Sequence, residues 1–365
     1  MKYYIIAGEK SGDLHASNLI NEIKKCDAEA KFRGWGGDNM QKSGLELVRH
    51  YKDTAIMGFL EVLFNFRKLL GFIKQCKRDI ASYQPDVVIL VDYAGFNLRI
   101  ASFTKKNNIK TYYYISPKVW AWNQKRAYKV KRLVDKMFVI LHFEKAFYKK
   151  YGLEVDYVGN PLFDEISKFK PDAQFLEKYN FSEKPILAIL PGSRFQEVKL
   201  ILENMLRVID DFPNYQFVIA GVSSLPEELY ASAKEKNIKI LFEETYNLLS
   251  VAKSAVVTSG TATLETALFN VPQVVCYKTS NITYQVVKRL IKVPYISLVN
   301  LIANKKVVTE LIQHDFTYEK LKTEIQNLDK NRKMIIEDYQ NLKEMVGTEG
   351  ASKTTATLMW KYLNE

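Results

Sequence analysis

Short apolar runs alternate with longer amphipathic segments along most of the chain. In the first half, apolar and β-branched runs predict strands at residues 3–7, 86–91, 109–115, 136–141 and 154–158. In the second half, similar runs predict strands at 186–190, 216–220, 238–242, 255–258 and 273–277. The segments between them have helical periodicity. Strand, turn and helix in repetition predict parallel sheets with helices on both faces.

A polar stretch between Pro161 and Pro185 interrupts this alternation. It predicts a boundary between two doubly wound, Rossmann-like α/β domains, over residues 1–168 and 169–335. Two such domains in succession are expected to face each other across a cleft. The helical segment 336–365 is expected either to pack back on the first domain or to exchange between the subunits of a homodimer.

The composition is that of a folded protein with a strong positive charge. Hydrophobic residues make up 47% of the chain and charged residues 26%. The net charge of +12 favours anionic partners such as phosphorylated substrates, nucleic acid or an anionic membrane face. Nucleic acid is not predicted, because the lysines are spread along the chain and the usual binding motifs do not occur.

The spacing of cysteine and histidine argues against a metal site and against disulfides. Three cysteines have no C-x-x-C spacing, and four histidines have no H-x-x-H or H-E-x-x-H spacing. A strand-like run follows Met1 directly, and no apolar run reaches membrane-spanning length. The expected location is therefore the cytoplasm, with contact to a membrane from that side left open.

A glycine-flanked turn, A-G-E-K-S-G-D, follows the first predicted strand at residues 7–13. Gly8 and Gly12 permit close backbone approach, and Ser11 or Asp13 can cap the next helix. A capped turn and a substrate contact are both compatible with this pattern. The motif is not G-x-G-x-x-G, so a nicotinamide cofactor is not predicted.

Asp92 ends another predicted strand and precedes a glycine-containing turn. A carboxylate at the carboxyl edge of a parallel sheet is a candidate general base, although an aspartate here can also simply cap the following helix. His15, Glu9 and Glu61 are weaker candidates for the same role.

The segment Tyr114–Arg126, called the tryptophan segment below, concentrates aromatic and cationic residues after a third predicted strand. It contains Trp120 and Trp122, two of the four tryptophans of the chain. These rings either pack a loop or offer aromatic surface to a ligand. Its cations are Lys118, Lys125 and Arg126.

The second domain contains two turns suited to anion binding. In L-P-G-S-R-F-Q-E at 190–197, Ser193 caps a helix whose amino end carries Arg194. That arrangement predicts a phosphate site, and the alternative is a surface ion pair between Arg194 and Glu197.

The second of these turns is T-S-G-T-A-T-L-E at 258–265. Ser259, Gly260 and Thr261 open a helix there, and Glu265 can accept hydrogen bonds from sugar hydroxyls. A plain helix cap with an acidic first turn has the same appearance. Two such turns in one domain match the requirement of a nucleoside diphosphate. No D-x-D motif occurs, so a metal-clamped diphosphate is not expected.

Residues 58–73 form an amphipathic pattern with a core stripe on one helical face. Leu60 and Phe64 lie outside this stripe, beside Arg67 and Lys68. Apolar residues beside cations predict shallow insertion into an anionic bilayer, and a helix buried on two sides is the alternative.

Taken together, these segments resemble the lipid-A-disaccharide synthases of Gram-negative bacteria. The matching motifs are A-G-E-K-S-G-D at 7–13, G-W-G-G-D-N-M at 34–40, M-G-F-L-E-V-L at 57–63, P-D-V-V-I-L-V-D-Y-A-G-F-N at 85–97, S-P-K-V-W-A-W-N-Q-K-R at 116–126, V-G-N-P-L at 158–162, L-P-G-S-R at 190–194, S-G-T-A-T-L-E at 259–265 and S-L-V-N-L-I-A at 297–303. They cover nearly the full chain.

The resemblance implies a glycosyltransferase with two Rossmann-like domains, the GT-B type. Such an enzyme condenses UDP-2,3-diacylglucosamine with 2,3-diacylglucosamine 1-phosphate to a β-1,6-linked disaccharide and UDP, by inversion and without metal or cofactor. It would act at the cytoplasmic face of the inner membrane. The competing hypothesis is a sugar-nucleotide epimerase or hydrolase of the same architecture.

The resemblance also assigns residue roles. Asp92 matches the essential aspartate of the family and is expected to be the base. Donor-site residues are expected at Arg194, Asn300 and Glu265, with Ser193, Ser259, Gly260 and Thr261 beside them. The acceptor side is expected to include Ser11, Lys118, Trp120, Lys125 and Arg126.

Three positions depart from the family pattern. Gly95 replaces a second acidic residue, Asn160 replaces a histidine, and Val299 replaces a proline. The loss at Gly95 leaves Asp92 as the carboxylate for the base role, and Asn160 removes an ionisable group.

Overall fold

The computed structural model describes residues 1–54, 66–347 and 349–365. The described residues form two compact units. The first unit contains residues 1–164 and the C-terminal residues 349–365, and the second contains residues 165–347.

The first unit contains a parallel sheet of seven strands within the described residues, in the order β3-β2-β1-β4-β5-β6-β7. Its strands are β1 (Lys2–Ala7), β2 (Lys31–Gly36), β3 (Leu45–His50), β4 (Val87–Val91), β5 (Lys110–Tyr114), β6 (Lys136–Val139) and β7 (Asp156–Tyr157). Its helices are α1 (Lys10–Cys26), α2 (Asp38–Lys42), α3 (Tyr51–Thr54), α4 (Phe66–Tyr83), α5 (Ala94–Lys106), α6 (Val119–Trp122), α7 (Arg126–Leu133) and α8 (His142–Lys149), and α9 (Pro161–Lys168) crosses into the second unit.

The second unit contains a parallel sheet of six strands within the described residues, in the order β10-β9-β8-β11-β12-β13. Its strands are β8 (Ile186–Leu190), β9 (Gln216–Gly221), β10 (Lys239–Phe242), β11 (Ala252–Thr258), β12 (Gln273–Tyr277) and β13 (Thr309–Ile312). Its α-helices are α10 (Phe175–Lys178), α11 (Phe195–Leu206), α12 (Ala231–Glu235), α13 (Thr245–Val251), α14 (Thr261–Leu268), α15 (Asn281–Leu290), α16 (Leu298–Ala303), α17 (Tyr318–Lys330) and α18 (Arg332–Val346). Two 3₁₀ turns lie at Ile209–Asp211 and Glu227–Tyr230.

The prediction of two doubly wound α/β domains is confirmed. Strands β4 and β8 are buried along their whole length, because helices cover both faces of each sheet. This burial explains why both strands are continuous apolar runs, V-V-I-L-V and I-L-A-I-L, rather than alternating patterns.

The strand order reverses direction at the same point in each sheet. In the first unit β1 lies beside β4, with Ala7 opposite Val91. In the second unit β8 lies beside β11, with Leu190 opposite Val257. In open α/β sheets such reversal points form ligand-binding crevices at the carboxyl ends of the strands. The turns that follow β1, β4, β8 and β11 therefore carry several of the candidate site residues, among them Asp92, Arg194 and Ser259.

The last helix, α19 (Ala351–Asn364), belongs to the first unit, whereas α18 belongs to the second. The expected C-terminal segment 336–365 is thus divided between the two units. Asp164 carboxylate oxygens accept the backbone N–H groups of Gly350 and Ser352 at 2.5 and 2.9 Å, which caps α19. Apolar residues of α19 join the core beneath α1.

No helix among the described residues is long and apolar enough to cross a membrane. Within the predicted amphipathic segment 58–73, Leu60 and Phe64 lie outside the described residues. Arg67 and Lys68 are exposed at the start of α4.

Candidate functional site

Glycine at position 8 permits close packing between the turns that follow β1 and β4. A Cβ atom on Gly8 would lie 2.3 Å from ring carbons of Tyr93. Any larger residue would therefore push Tyr93 away from its position. Glycine at this position of the A-G-E-K-S-G-D motif therefore leaves room for the Tyr93 ring in the turn that carries Asp92.

Asp92 and Tyr93 both have left-handed backbone conformations, with φ of 44° and 45°. Consecutive non-glycine residues in this region are uncommon and cluster at functional sites. The conformation is held by two side chains: Tyr113 Oη and Asn97 Nδ2 both donate to the Asp92 carbonyl oxygen, the latter at 2.9 Å. The Asp92 side chain is half-buried at the carboxyl edge of the sheet.

The tryptophan segment begins at the last residue of β5, the neighbour of β4, and its second residue is strained. Ile115 has a φ of 62°, which is unusual for a β-branched side chain. Trp120 is buried and its Nε1 donates to Glu144 at 3.0 Å, while Ser116 Oγ donates to the same oxygen. Trp120 therefore anchors the segment to α8.

Burial raises the pKa of Glu144, and the hydrogen bonds from Ser116, Leu141 and Trp120 oppose that shift. The Leu141 backbone N–H donates to the second carboxylate oxygen at 3.0 Å. Glu144 thus joins Ser116 and Trp120 of the tryptophan segment to the amino end of α8.

The cations of the tryptophan segment, Lys118, Lys125 and Arg126, are all exposed. Trp122 is also exposed, and the Arg126 guanidinium lies 4.6 Å from its ring centroid. Of the two alternatives for the rings, packing describes Trp120, whereas Trp122 presents surface to solvent. The charges beside the rings are the groups available to an anionic ligand.

Asp13 caps α2 rather than its own helix. Its carboxylate accepts backbone N–H groups of Gly37 at 2.7 Å and of Asn39 and Met40 at 3.1 Å. The expectation that Asp13 caps α1 is therefore wrong, because the carboxylate reaches the unpaired donors of a neighbouring helix end. Ser11 is exposed in the first turn of α1.

The weaker candidates for the base differ in accessibility. His15 is buried in α1, and burial lowers its pKa to about 4, with Asp164 opposing the shift. Glu9 is exposed. Glu61 lies outside the described residues.

In the second unit, Glu197 contacts both residues of the turn after β8 at which a phosphate site was predicted, Ser193 and Arg194. Gly192 has a φ of 114°, which favours glycine, and the Ser193 backbone N–H donates to Glu197 Oε2 at 3.2 Å. Arg194 Nη1 lies 3.4 Å from Glu197 Oε1, and 64% of its side chain is exposed. The predicted alternative, an Arg194–Glu197 ion pair, is therefore formed in this structure. The expectation that Ser193 caps the helix is wrong, because Arg194 is the N-cap residue of α11 and no side-chain hydrogen bond caps that helix.

The turn after β11 is tied to the segment before α16. Ser259 Oγ donates to the Ile296 carbonyl oxygen at 3.0 Å. Gly260 has open space where a Cβ would lie, and Thr261 begins α14. One turn into that helix, Glu265 accepts a hydrogen bond from Tyr246 Oη at 3.0 Å.

Asn300 is fully buried, and its amide is committed to the protein. Nδ2 donates to the carbonyl oxygen of Val308 and to Glu310, both at 2.9 Å. Oδ1 accepts the backbone N–H groups of Val307 and Val308 at 2.8 and 2.9 Å. With both of its donors and its acceptor engaged, Asn300 acts here as a positioning residue for the backbone at Val307 and Val308.

Glu310 extends this network to the start of α16. Its carboxylate accepts the backbone N–H groups of Ile296 at 3.0 Å and Ser297 at 2.9 Å, and the Ser297 hydroxyl at 2.7 Å. Ser259, Asn300 and Glu310 are thus joined through residues 296 and 297. Through these hydrogen bonds, Glu310 of β13 helps to hold the turn after β11 in position.

The three departures from the family pattern have distinct surroundings. Gly95 is exposed, and a Cβ there would meet no described atom within 4 Å. Asn160 is buried and its Oδ1 accepts the Leu162 backbone N–H at 3.1 Å, so it serves as a helix cap. Val299 is buried in α16.

Sequence reasoning missed Asn97, Glu144 and Glu310, and it assigned Glu197 only an ion pair. Asn97 is the last residue of the motif at 85–97 that contains Asp92, but the pattern of apolar and polar positions does not indicate its role. In the sequence, Glu144 and Glu310 are single acidic residues next to apolar ones. This pattern is the one feature from which a buried, hydrogen-bonded carboxylate could have been predicted. Among the described residues, no cluster of three or more His, Cys, Asp or Glu side chains is arranged to hold a metal ion.

Comparison with known proteins adds a family-level match over nearly the whole chain. A family model described as Lipid-A-disaccharide synthetase matches residues 3–359. The lipid-A-disaccharide synthase of Syntrophus aciditrophicus is 37% identical over 366 residues, covering 97% of this chain and 96% of that protein. That of Geobacter metallireducens is 36% identical over 372 residues, covering 99% and 97%.

Solved structures confirm the predicted fold class. The chain is similar to UDP-GlcNAc 2-epimerase from Neisseria meningitidis bound to UDP-GlcNAc, with a TM-score of 0.72 over 99% of this chain and all of that one. The sequence identity is 14%, so this likeness shows the fold alone. That fold is the GT-B fold, which contains two Rossmann-like domains.

Proposed function

Because the chain belongs to the lipid-A-disaccharide synthetase family and is therefore a glycosyltransferase of lipid A biosynthesis, we propose a specific reaction for it. The enzyme condenses UDP-2,3-diacylglucosamine with 2,3-diacylglucosamine 1-phosphate. The products are a β-1,6-linked tetraacyl disaccharide 1-phosphate and UDP.

Asp92 is the proposed general base, and its backbone geometry is the observation that carries the proposal. The 6-hydroxyl oxygen of the acceptor attacks C1 of the donor sugar, and the bond from C1 to the diphosphate oxygen breaks. The bonding electrons leave with UDP, and the hydroxyl proton passes to the Asp92 carboxylate. Attack from the face opposite the leaving group inverts the anomeric centre.

The second unit is the proposed donor domain. Arg194 exchanges its ion pair with Glu197 for the diphosphate, whose oxygens face the amino ends of α11 and α14. This arrangement lets the developing charge on UDP be carried by a guanidinium and two helix ends, so the proposed reaction is independent of metal. Ser193, Ser259, Gly260 and Thr261 form the turns after β8 and β11, and Glu265 accepts from hydroxyls of the UDP moiety.

The acceptor side is proposed to lie in the first unit beside Asp92. Lys118, Lys125 and Arg126 are exposed cations suited to the acceptor's 1-phosphate. Trp120 holds the segment that presents them, and Ser11 lies at the neighbouring turn. No cofactor enters the proposed reaction, since the UDP-sugar is itself the activated substrate.

Both substrates carry acyl chains, so we propose that the protein associates peripherally with the cytoplasmic face of the inner membrane. Leu60, Phe64, Arg67 and Lys68 are one proposed contact. The exposure of Arg67 and Lys68 supports this assignment.

The decisive experiment incubates the purified protein with both acylated sugars and excess chelator, followed by mass spectrometry. Disaccharide and UDP in equal amounts are expected. UDP without disaccharide would instead indicate hydrolysis, the competing hypothesis, and activity that depends on added metal would contradict the metal-free step.

A further inference from the structure

Helix α15 (Asn281–Leu290) has apolar residues on two faces, one half-buried and one exposed. Ser280 caps it, its Oγ accepting the Thr283 backbone N–H at 3.2 Å. On the inner face, Tyr284 and Val287 are half-buried, and the Tyr284 ring packs edge-on against His314. The inner face therefore accounts for the attachment of the helix to the second unit.

The outer face presents a second apolar stripe to solvent. Ile282, Val286 and Leu290 are 82%, 47% and 46% exposed, and their spacing of four residues aligns them along one side of the helix. Leaving three large aliphatic side chains in water forgoes the stabilisation that burial would give, so a continuous exposed stripe indicates a binding surface.

The stretch of sequence that contains this stripe has charge of one sign. No aspartate or glutamate occurs from Lys278 to Thr309. The same stretch carries six cations, Lys278, Lys288, Arg289, Lys292, Lys305 and Lys306. Lys288, Arg289 and Lys292 lie within or directly after the helix and are exposed. An apolar stripe beside such cations complements an anionic lipid surface.

The helix begins at the functional edge of its sheet. It starts four residues after β12, on the same carboxyl edge as the turns after β8 and β11. The chain beyond it returns to that edge, where the Ile296 carbonyl oxygen accepts the Ser259 hydroxyl. A surface bound by α15 is therefore adjacent in the fold to the turns of the proposed donor site.

We propose that α15 is an interfacial helix that lies on an anionic bilayer. Ile282, Val286 and Leu290 insert at the boundary between headgroups and acyl chains, and Lys288, Arg289 and Lys292 contact lipid phosphates. This surface is separate in sequence from residues 60–68. The inference rests on the proposed function in one respect, that a bilayer holds the acylated substrates.

The test compares binding to vesicles of phosphatidylglycerol and phosphatidylcholine by co-sedimentation. The variant Ile282→Ser/Val286→Ser/Leu290→Ser is expected to lose at least about tenfold in partitioning to the anionic vesicles. Met334→Ser, at a residue 57% exposed on α18, is the matched control and should bind as the wild type does. Circular dichroism and UDP titration check that each variant is folded.

Two further variants separate the contributions. Lys288→Gln/Arg289→Gln/Lys292→Gln should reduce binding to anionic vesicles and weaken its dependence on salt. Ile282→Trp adds a tryptophan to the exposed stripe. Brominated lipids should quench the fluorescence of this variant more strongly than that of the wild type. Absence of that added quenching would contradict insertion of the helix.

Other outcomes overturn the inference. If the triple serine variant binds anionic vesicles as the wild type does, the stripe is not a membrane contact. In that case a raised KM for the acylated donor would assign the stripe to its acyl chains, and lost self-association would assign it to a second copy. Helix-dependent vesicle binding without disaccharide synthesis would instead overturn the proposed function and leave this inference standing.

Discussion

The side-chain amide of Asn97 donates a 2.9 Å hydrogen bond to the main-chain carbonyl oxygen of Asp92, five residues earlier. The same Nδ2 also donates to the Val91 carbonyl oxygen at 3.2 Å. Asn97 lies buried in the first turn of α5, so it connects a rigid helix to a turn in an unfavourable backbone conformation. The orientation of the Asp92 carboxylate therefore depends on a residue that need not touch substrate.

Replacing Asn97 should impair turnover because the Asp92 carboxylate would lose its orientation. Asn97→Ala is expected to cost about 1–2 kcal/mol of stability and to lower kcat while the KM for the UDP-sugar stays near that of the wild type. The isosteric Asn97→Asp, which has no donor when ionised, should lower kcat similarly. Asn107→Ala removes an exposed bond from Asn107 Nδ2 to Phe103 at the end of the same helix and is the control for kinetics and urea unfolding. Unchanged kcat in both Asn97 variants would remove the positioning role.

Asp92→Asn should retain donor binding and lose turnover. General base catalysis typically contributes 10²- to 10⁴-fold, so kcat is expected to fall by at least about 100-fold. Disaccharide formation by mass spectrometry measures turnover, and calorimetric titration with UDP measures binding. Asp210→Asn, at an exposed carboxylate of the second unit, should have wild-type activity. An active Asp92→Asn enzyme would move the base elsewhere.

Arg194 and Glu197 should affect UDP binding with opposite signs. Arg194→Ala is expected to weaken binding by about 1.5–3 kcal/mol, because a charge-assisted bond to phosphate is lost. Glu197→Gln removes a negative charge beside the same position while keeping a hydrogen-bond acceptor, so it should tighten binding. Lys199→Ala, an exposed cation one turn along α11, is the control. The titrations would contradict the assigned site if Lys199→Ala and Arg194→Ala weakened binding equally.

The two tryptophans should differ in their effect on stability. Trp120→Phe leaves the buried Glu144 without one of its donors and is expected to lower the free energy of unfolding by about 1–3 kcal/mol. Trp122→Phe changes an exposed ring over Arg126 and should stay within about 0.5 kcal/mol of the wild type. Urea denaturation measures both variants. Equal losses would show that the exposed ring also supports the fold.

Because His15 is buried in its neutral form, the free energy of unfolding should decrease as the pH falls. Its pKa is near 4 in the folded protein because of burial, whereas an unfolded histidine titrates near 6.5. The unfolded state therefore binds the proton first. The contribution of neutral His15 is complete above about pH 6.5 and is lost progressively as the pH falls toward 4. Between pH 7 and pH 5 the wild type should lose on the order of 2 kcal/mol more than His15→Gln, as measured by urea unfolding.

Most of the strands were predictable because buried parallel strands are continuous apolar runs. Strands β2, β3 and β13 were missed. In β2, Gly34 and Gly36 dilute the apolar signal, and a Cβ on Gly34 would lie 1.9 Å from the Ile5 carbonyl oxygen. That glycine is required by close approach to β1, which is a tertiary contact. The other two missed strands, β3 and β13, mix charged with apolar residues.

The sequence by itself determined the two α/β units, the turns that end their strands, and, through the motifs in those turns, the protein family. These follow from local chemistry: apolar runs bury, glycine permits tight turns, and hydroxyls or carboxylates satisfy helix ends. Only the tertiary structure decided what each polar side chain does. Asp13 caps a neighbouring helix, Asn300 is held by Glu310 and a backbone loop, and Trp120 is anchored by Glu144. A buried donor or acceptor must be paired, and the partner that pairs it is brought there by the fold from distant positions in the chain.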